Sequence, residues 1–220
     1  MTVKDLVRPI PGVRQLSSLR QRLCFDGSTA FWEQRYARGG TSGEGSYGDL
    51  AVGKAKFLNA FVKDNAVQTV IELGCGDGNQ LSLSAYPQYI GLDVSKTAIE
   101  LCKSRFADDP GKSFFLYDSS CFVDHAGLFK ADLALSLDVI YHLVEDSVFE
   151  VYMAHLFGAA KRYVVIYATN DAIPGGAPHV RHRRFSAWVE ANRPEWELKN
   201  VSTGPGLGQG RPDFFVYARS

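Results

Sequence analysis

The chain has 220 residues, of which 45% are apolar and 22% are charged, and its formal net charge is zero. This is the composition of an ordinary globular protein, long enough for one α/β domain and too short for two. Without net charge we expect no general attraction to nucleic acid or anionic lipid, and no apolar run approaches the length of a membrane span.

The N-terminal region predicts a cytoplasmic protein. Pro9, Pro11 and several charges interrupt the segment in which a signal peptide needs an unbroken apolar core. Residues 1–25 show no clear periodicity and are predicted to form an arm, which would suit a homodimer contact. The cysteines have neither C-x-x-C nor zinc-like spacing, so free thiols are expected at all four positions: Cys24, Cys75, Cys102 and Cys121.

Two helices are predicted before the first strand. Ser28 is expected to cap the helix STAFWEQRYA, which the glycine-rich stretch RGGTSGEGSYGDL ends. Apolar residues at helical spacing between Leu50 and Val62 predict a second helix. We assign residues 1–65 to an N-terminal arm with covering helices and residues 66–220 to the core.

The core alternates short apolar runs with helical segments. The strand-like runs are VQTVIEL, QYIGLDV, KSFFLYD, ADLALSLD and RYVVIYAT, and TAIELCKSRF and SVFEVYMAHLF are helical in pattern. This alternation predicts a Rossmann-like α/β fold with a mostly parallel sheet covered on both faces. After the helix RFSAWVEANRP, the runs WELKNVS and DFFVYAR have no helix between them, which predicts a closing antiparallel hairpin and a sheet of seven strands in all.

Two glycine strings compete for the role of a ligand-binding loop. GEGSYG, residues 43–48, spells G-x-G-x-x-G, but a helical pattern precedes it, whereas a phosphate-cradling loop follows a strand. We interpret it as a mobile cover over a cofactor, with Tyr36, Ser46 and Tyr47 reaching inward. A plain connector between helices is the alternative.

The second string, ELGCGDGN at residues 72–79, follows a strand-like run and therefore fits a binding loop. Its carboxylates, Glu72 and Asp77, would repel a pyrophosphate but attract the sulfonium and amino groups of S-adenosylmethionine. The backbone N–H groups of such a loop approach a ligand closely where glycines carry no side chain. These glycines are Gly74, Gly76 and Gly78.

Acidic residues end the next two strands. Asp93 lies where a carboxylate accepts hydrogen bonds from ribose hydroxyls. Asp118 or its neighbour Ser119 is placed to receive the adenine amino group. The alternative is that these acids only cap strand ends.

The set E-L-G-C-G-D-G, G-L-D-V-S and Asp118, within residues 67–168, resembles the class I S-adenosylmethionine-dependent methyltransferases. W-E-Q-R-Y, G-S-Y-G and H-V-R-H-R resemble small sugar O-methyltransferases, such as those of mycobacterial methylmannose polysaccharide synthesis. The resemblance implies S-adenosylmethionine as the cofactor. It also implies methylation of a hydroxyl on a sugar or oligosaccharide acceptor, such as the 1-hydroxyl of a mannoside.

The fourth strand ends in LSLDVIYHLVED, which places Asp138, Tyr141 and His142 at the carboxyl edge of the sheet, facing the transferred methyl group. A sugar hydroxyl is barely acidic, so His142 is the candidate general base. Members of the resembled family with a D-V-I-x-H-L pattern often place the histidine beside the acceptor. A structural histidine that fixes the loop is the alternative.

Asp138 also belongs to a candidate metal site. With Asn170 and Asp171 after the fifth strand, it would offer oxygen ligands for Mg²⁺, which would lower the pKa of the acceptor hydroxyl. The set resembles the metal site of catechol O-methyltransferase, with the order of the Asp-Asn pair reversed. The alternative is that Asp138 shapes the cofactor pocket and the other two make a turn.

A basic cluster, HVRHRR at residues 179–184, follows the loop AIPGGAP. We expect His179, Arg181 and His182 to contact the acceptor from a flexible lid, and Trp188 to stack on a sugar ring. The alternative is a solvated helix entrance with Trp188 in the core.

Other functions remain open from the sequence alone. The chain could methylate another small molecule at nitrogen or oxygen, reduce a substrate with a nicotinamide cofactor, or bind a cofactor without catalysis. Glu72, Asp77 and the absence of G-x-G-x-x-G after the first strand argue against a nicotinamide cofactor.

Overall fold

The computed structural model describes residues 25–172, 177–206 and 210–220. Residues 1–24 of the predicted N-terminal arm, which include Cys24, lie outside these ranges, as do parts of the loops AIPGGAP and GPGLGQGRP. The described residues form a seven-stranded sheet in the order β3-β2-β1-β4-β5-β7-β6. The strands are β1 (Thr69–Leu73), β2 (Gln88–Asp93), β3 (Lys112–Leu116), β4 (Ala131–Leu137), β5 (Ala160–Ala168), β6 (Trp196–Thr203) and β7 (Asp213–Arg219).

Strands β1 to β5 pair in parallel, and β7 lies antiparallel between β5 and β6. These pairings confirm the predicted Rossmann-like α/β fold and its closing hairpin. In an open sheet of this kind, the loops after the parallel strands share one edge, where ligands bind. A ligand-binding site is therefore expected at the carboxyl ends of β1 to β4.

Five longer helices accompany the sheet in the described ranges. They are α1 (Ser28–Ala37), α2 (Gly48–Asp64), α3 (Lys96–Arg105), α4 (Asp146–Ala159) and α5 (Phe185–Asn192). None of these described helices combines the length and apolar character that crossing a bilayer requires.

The two faces of the sheet have separate cores. Val70 belongs to the cluster that contains Leu58 of α2, whereas its neighbour Ile71 belongs to the cluster that contains Met153 of α4. Successive side chains of a strand point to opposite faces, so a sheet covered on both sides needs apolar residues at nearly every position. This is why the strands read as continuous apolar runs.

Helix α1 differs from α2 in how it is attached. Helix α2 buries Leu58 and Val62 against the sheet, whereas α1 buries only Ser28 and Tyr36. The prediction that Ser28 caps α1 with its side chain is wrong: Gly27 is the N-cap, and the Ser28 hydroxyl bonds to residues after β4. The three described cysteines are free.

Candidate active site

A cavity opens at the carboxyl ends of β1 to β4, beneath α1 and residues 42–46. The cavity is partly open to solvent. Three acidic side chains line it, those of Glu72, Asp93 and Asp138, and the described lining residues include no lysine or arginine. Asp138 is paired with the buried Lys54, so Glu72 and Asp93 are the acids through which the lining favours a cationic ligand over an anionic one.

The loop after β1 forms the floor of the cavity and depends on its glycines. Gly74, Gly76 and Gly78 have φ angles of +90°, +58° and +75°, in the left-handed region. A Cβ atom on Gly76 would lie 2.3 Å from Ser42 Oγ, and one on Gly74 would lie 2.4 Å from Val139 Cγ2. Both the turn and the close approach of its neighbours therefore exclude side chains here.

Asp93 lies beside this loop at the end of β2. Its carboxylate accepts hydrogen bonds from the backbone N–H of Gly76 at 2.8 Å and of Ser95 at 2.9 Å. Burial raises the pKa of Asp93 to about 6, although these two bonds oppose the shift. Each carboxylate oxygen has a second lone pair, so Asp93 can accept further hydrogen bonds from a ligand.

Glu72, near the end of β1, is almost completely buried and accepts a hydrogen bond from the Tyr89 hydroxyl at 2.6 Å. Burial raises its pKa to about 7, while this bond and the charge of Lys54 act in the opposite direction. A cation entering the cavity would therefore favour the ionised form of Glu72.

Residues 42–47, which contain most of GEGSYG, cover the loop after β1. Asp77 accepts hydrogen bonds from the Ser42 backbone N–H at 2.9 Å and from the Tyr47 hydroxyl at 2.8 Å, and Asn79 Nδ2 donates to the Ser46 carbonyl. Tyr36 and Ser46 line the cavity. Tyr47 does not line it, because its hydroxyl is turned to Asp77.

Hydrogen bonds of Ser28 and Glu33 attach helix α1 to the rest of the site. The Ser28 hydroxyl donates to Glu145 at 2.6 Å, and its backbone N–H donates to the same carboxylate at 2.9 Å. Glu33 accepts hydrogen bonds from the hydroxyls of Ser95 and Thr97, both at 2.6 Å. These hydrogen bonds hold the helix over the cavity.

Asp138 follows β4 with a φ of +60°, a strained conformation for a residue other than glycine. Its carboxylate pairs with Lys54 Nζ at 2.6 Å and accepts a hydrogen bond from the Tyr141 hydroxyl at 2.7 Å. The predicted grouping of Asp138 and Tyr141 at this edge is present. Tyr141 reaches the site through Asp138 and does not itself line the cavity.

The predicted magnesium ligands do not come together. The Asp138 carboxylate is already held by an ammonium group, the Asn170 side chain exchanges two hydrogen bonds with Ser186, and Asp171 is exposed. The described part of the chain contains no group of three or more His, Cys, Asp or Glu side chains arranged for a metal. These residues do not fit Mg²⁺, so we derive no step through a metal.

His142 lines the cavity next to Asp138. Its Nδ1 lies 3.0 Å from the His179 carbonyl, which can only accept, so Nδ1 carries the proton and Nε2 is left as an acceptor. Burial lowers the pKa of His142 to about 4, so the ring is neutral at physiological pH. Trp32 meets it edge-on, with 4.9 Å between the ring centres.

The basic cluster faces neighbouring loops and not the cavity. Arg181 and Arg183 both pair with Asp146 at 3.0 Å and donate to the Val144 carbonyl. His182 Nδ1 lies 2.6 Å from the Thr169 hydroxyl. The arginines thus hold the turn before α4, and neither of them lines the cavity.

Two other residues that were predicted to contact the methyl acceptor, His179 and Trp188, also contact other parts of the protein. His179 stacks on Phe31 with 4.2 Å between ring centres, and its carbonyl holds His142. Trp188 packs against Phe149 and donates to Glu150, on the α4 face of the sheet. Neither side chain lines the cavity.

The two residues proposed for adenine separate at the end of β3. Asp118 is exposed and accepts hydrogen bonds from the backbone and hydroxyl of Ser120. Ser119 lines the cavity together with Tyr117, whose ring is buried. Of the two sequence candidates, only Ser119 lines the cavity.

Several lining residues were not identified from the sequence. Trp32, Gln80 and Tyr117 line the cavity, and Lys54 lies behind Asp138. Gln80 lies two residues after Gly78, so its position next to the glycine loop is a signal in the sequence that it lines the cavity. The sequence around Lys54 contains no comparable signal, since its partner is 84 residues away.

Solved structures share this fold. The N-methyltransferase NodS from Bradyrhizobium japonicum WM9, in complex with S-adenosyl-L-homocysteine, has a TM-score of 0.67 and 14% identity, covering 88% of this chain and 99% of its own. Magnesium protoporphyrin IX methyltransferase ChlM from Synechocystis PCC 6803, with the same ligand bound, has a TM-score of 0.62 and 17% identity, covering 94% and 100%. The methyltransferase domain of bacterial CtHen1-C has a TM-score of 0.61 and 22% identity, covering 77% and 98%.

These likenesses show a Rossmann-like fold of the kind found in S-adenosylmethionine-dependent methyltransferases. No protein-family model matches the sequence, and a search of curated proteins found no match.

Proposed function

We propose that this chain is an enzyme that transfers a methyl group from S-adenosylmethionine to a small acceptor. The acidic cavity carries the proposal, because a glycine loop and a strand-end acid, Asp93, face it together while no described lining residue is lysine or arginine. A sulfonium and an ammonium group are stabilised near carboxylates, whereas the diphosphate of a nicotinamide cofactor is destabilised. The fold supports the same choice, since NodS and ChlM were crystallised with this donor or its product.

The adenosine part of the donor would lie toward the ends of β2 and β3. Asp93 retains lone pairs for the ribose hydroxyls after bonding Gly76 and Ser95. Ser119 and Tyr117 line the next part of the cavity, where they would contact the adenine. The rest of the donor would lie toward Glu72 and the end of β4.

The acceptor would lie beside Trp32 and His142. This part of the lining also contains Ser28, Thr29 and Leu143, so it offers hydroxyls and apolar surface without a basic group. A neutral polyhydroxyl compound with apolar ring faces suits such a surface. We therefore propose a hydroxyl of a sugar or oligosaccharide as the acceptor, with methylation of another small molecule at nitrogen or oxygen as the alternative.

His142 would receive the proton of the acceptor through Nε2. When bound, S-adenosylmethionine supplies an electrophilic methyl group. The acceptor oxygen becomes positively charged as its new bond forms, which makes its proton strongly acidic. A neutral imidazole whose pKa is about 4 can take that proton, although it is too weak to deprotonate a free hydroxyl beforehand. His142 also orients the acceptor by accepting its O–H hydrogen bond.

Titration calorimetry with S-adenosylhomocysteine tests the cofactor. We expect saturable one-site binding to the full chain and no fluorescence change with NADH. A chain without measurable S-adenosylhomocysteine affinity contradicts the proposal, and specific NADH binding favours the reductase.

A transfer assay with methyl-labelled donor tests the acceptor. Sugars, oligosaccharides, amines and phenols form the panel, and we expect label in the sugars. Label confined to amines or phenols supports the alternative acceptors. Binding of the donor with no transfer to any member supports a subunit without catalysis.

A further inference from the structure

Gln80 is the unexplained polar residue of the cavity. It is 6% exposed and lies just after the glycine loop. Its Nε2 donates to the Ala51 carbonyl at 3.1 Å. Because a carbonyl only accepts, this bond fixes which end of the amide is nitrogen, and Oε1 is left without a hydrogen-bond donor among the described residues. A buried acceptor without a donor is unfavourable, so Oε1 is expected to meet a donor on a ligand.

The position of Gln80 identifies which part of a ligand it would meet. Its partner Ala51 lies one helical turn before Lys54 on α2, and Lys54 pairs with Asp138 after β4. Gln80 is thus on the β1–β4 side of the cavity, whereas Asp93 and Ser119 lie toward β2 and β3.

The chemistry of this side selects a cation. Gln80 Oε1 is an acceptor, Glu72 is a buried carboxyl group, and Asp138 is a carboxylate already paired with Lys54. With the ribose at Asp93 and the adenine beyond it, the amino-acid end of the donor falls here. Its α-ammonium is the group at that end that donates hydrogen bonds, while its carboxylate cannot satisfy an acceptor.

We infer that Gln80 is a binding residue for the α-ammonium group of the donor, which Oε1 accepts beside Glu72. This rests on the proposed function, because it requires that the donor carry an amino-acid end. Gln80 thereby distinguishes S-adenosylmethionine and S-adenosylhomocysteine from adenosine thioethers that lack this end.

Two ligands and two variants test the inference by calorimetry. S-Adenosylhomocysteine has the amino-acid end, and 5′-methylthioadenosine has the same adenosine and thioether without it. In Gln80→Met, which retains the length of the side chain without its polar atoms, we expect affinity for S-adenosylhomocysteine to fall at least tenfold and affinity for 5′-methylthioadenosine to change less than twofold. Gln80→Asn keeps a polar amide but withdraws the oxygen, and the same selective loss is expected.

Gln68→Met is the matched control. Gln68 Nε2 also donates to a backbone carbonyl, that of Ala66, but it is exposed at the opposite end of β1. We expect both affinities to stay within twofold of the parent chain. If Gln80→Met does not fold, Gln80→Asn and the control carry the test.

The outcomes separate the two proposals. A parent chain that binds neither ligand overturns the proposed function. A parent chain that binds S-adenosylhomocysteine, with Gln80 variants that weaken both ligands equally or neither, overturns the assignment of Gln80 alone. A buried water that satisfies Oε1 in place of the ligand would give the second result.

Discussion

Lys54 and Asp138 form an ion pair with 2.6 Å between Nζ and Oδ2, and the Lys54 side chain is completely buried. Lys54 Nζ also lies 5.1 Å from the centre of the Tyr167 ring. The cover packs on the same carboxylate, since a Cβ atom on Gly45 would lie 2.8 Å from Asp138 Oδ2. The pair therefore joins α2, the cover and the end of β4 at one wall of the cavity.

Removing the lysine should destabilise the fold strongly. Lys54→Met leaves the Asp138 carboxylate without its cation in a largely buried position, and we expect a loss of about 3 kcal/mol in the free energy of unfolding, measured by urea denaturation. Adding Asp138→Asn should recover part of this loss, because the orphaned charge is removed. Lys56→Met, on the exposed side of the same helix, should change stability by less than about 0.5 kcal/mol. A cost below about 1 kcal/mol for Lys54→Met contradicts the importance of the pair.

The cover should become more mobile when its hydrogen bond to Asp77 is removed. Tyr47→Phe removes the hydroxyl that donates to Asp77, and we expect faster hydrogen exchange in residues 42–47 and severalfold faster dissociation of S-adenosylhomocysteine. Tyr163→Phe, far from the cavity, is the control. Equal exchange and dissociation in Tyr47→Phe and the parent chain would show that the hydroxyl does not hold the cover.

The same hydrogen bond should weaken in acid. Burial tends to raise the pKa of Asp77, but the hydrogen bonds from Ser42, Asn79 and Tyr47 outweigh it and lower the pKa below its ordinary value of 3.8. The stabilisation that Asp77 provides is therefore present above pH 4 and is lost as the pH falls through the lowered value. Hydrogen exchange in the cover, corrected for its intrinsic pH dependence, should rise below pH 4 more than exchange in β1 does.

The strands could be predicted because burial on both faces leaves a continuous apolar signal, as at Val70 and Ile71. The position of β7 between β5 and β6 has no such signal, because strand order depends on contacts between distant segments. Ser28 has the local features of a cap, yet Gly27 takes the N-cap position, and the Ser28 Oγ accepts a hydrogen bond from the backbone N–H of Val144, more than a hundred residues away.

The glycine loop after β1 and the acid at the end of β2 could be identified from the sequence. Gly76 and Asp93 are close in the chain and follow neighbouring strands, so their spacing indicates that they meet. The basic and metal-binding predictions rested on residue type, position after a strand or loop, and resemblance, none of which shows the partners that the fold supplies. Arg181 and Arg183 are directed to Asp146 and to backbone carbonyls, and Asp138 is neutralised by Lys54. A lysine is rarely buried, so the sequence offered no reason to place Lys54 there.

Asp93 should make cofactor affinity depend on pH. Burial raises its pKa to about 6, and below that pH the protonated carboxyl loses acceptor capacity for ribose hydroxyls. We expect S-adenosylhomocysteine to bind severalfold more weakly at pH 5 than at pH 8, by calorimetry. Asp93→Asn should weaken binding at least tenfold at pH 8 and flatten this part of the profile. Asp118→Asn alters an exposed acid outside the cavity, so its affinity for S-adenosylhomocysteine should stay within twofold of the parent chain. Weaker binding in Asp118→Asn than in Asp93→Asn would contradict the role of Asp93 and favour Asp118 as the binding residue.

His142 should affect turnover without affecting cofactor affinity. His142→Asn keeps a donor for the His179 carbonyl but removes Nε2, so we expect methyl transfer to fall about a hundredfold or more while S-adenosylhomocysteine affinity stays within threefold. Because burial lowers the pKa of His142 to about 4, its ring stays neutral from pH 5 to pH 8, and the parent rate should show no inflection from this residue in that range. Unchanged turnover in His142→Asn removes the residue from catalysis. An inflection near pH 6.5 that disappears in the variant would instead show a solvated imidazole that must be deprotonated before transfer, which is incompatible with the buried, neutral ring.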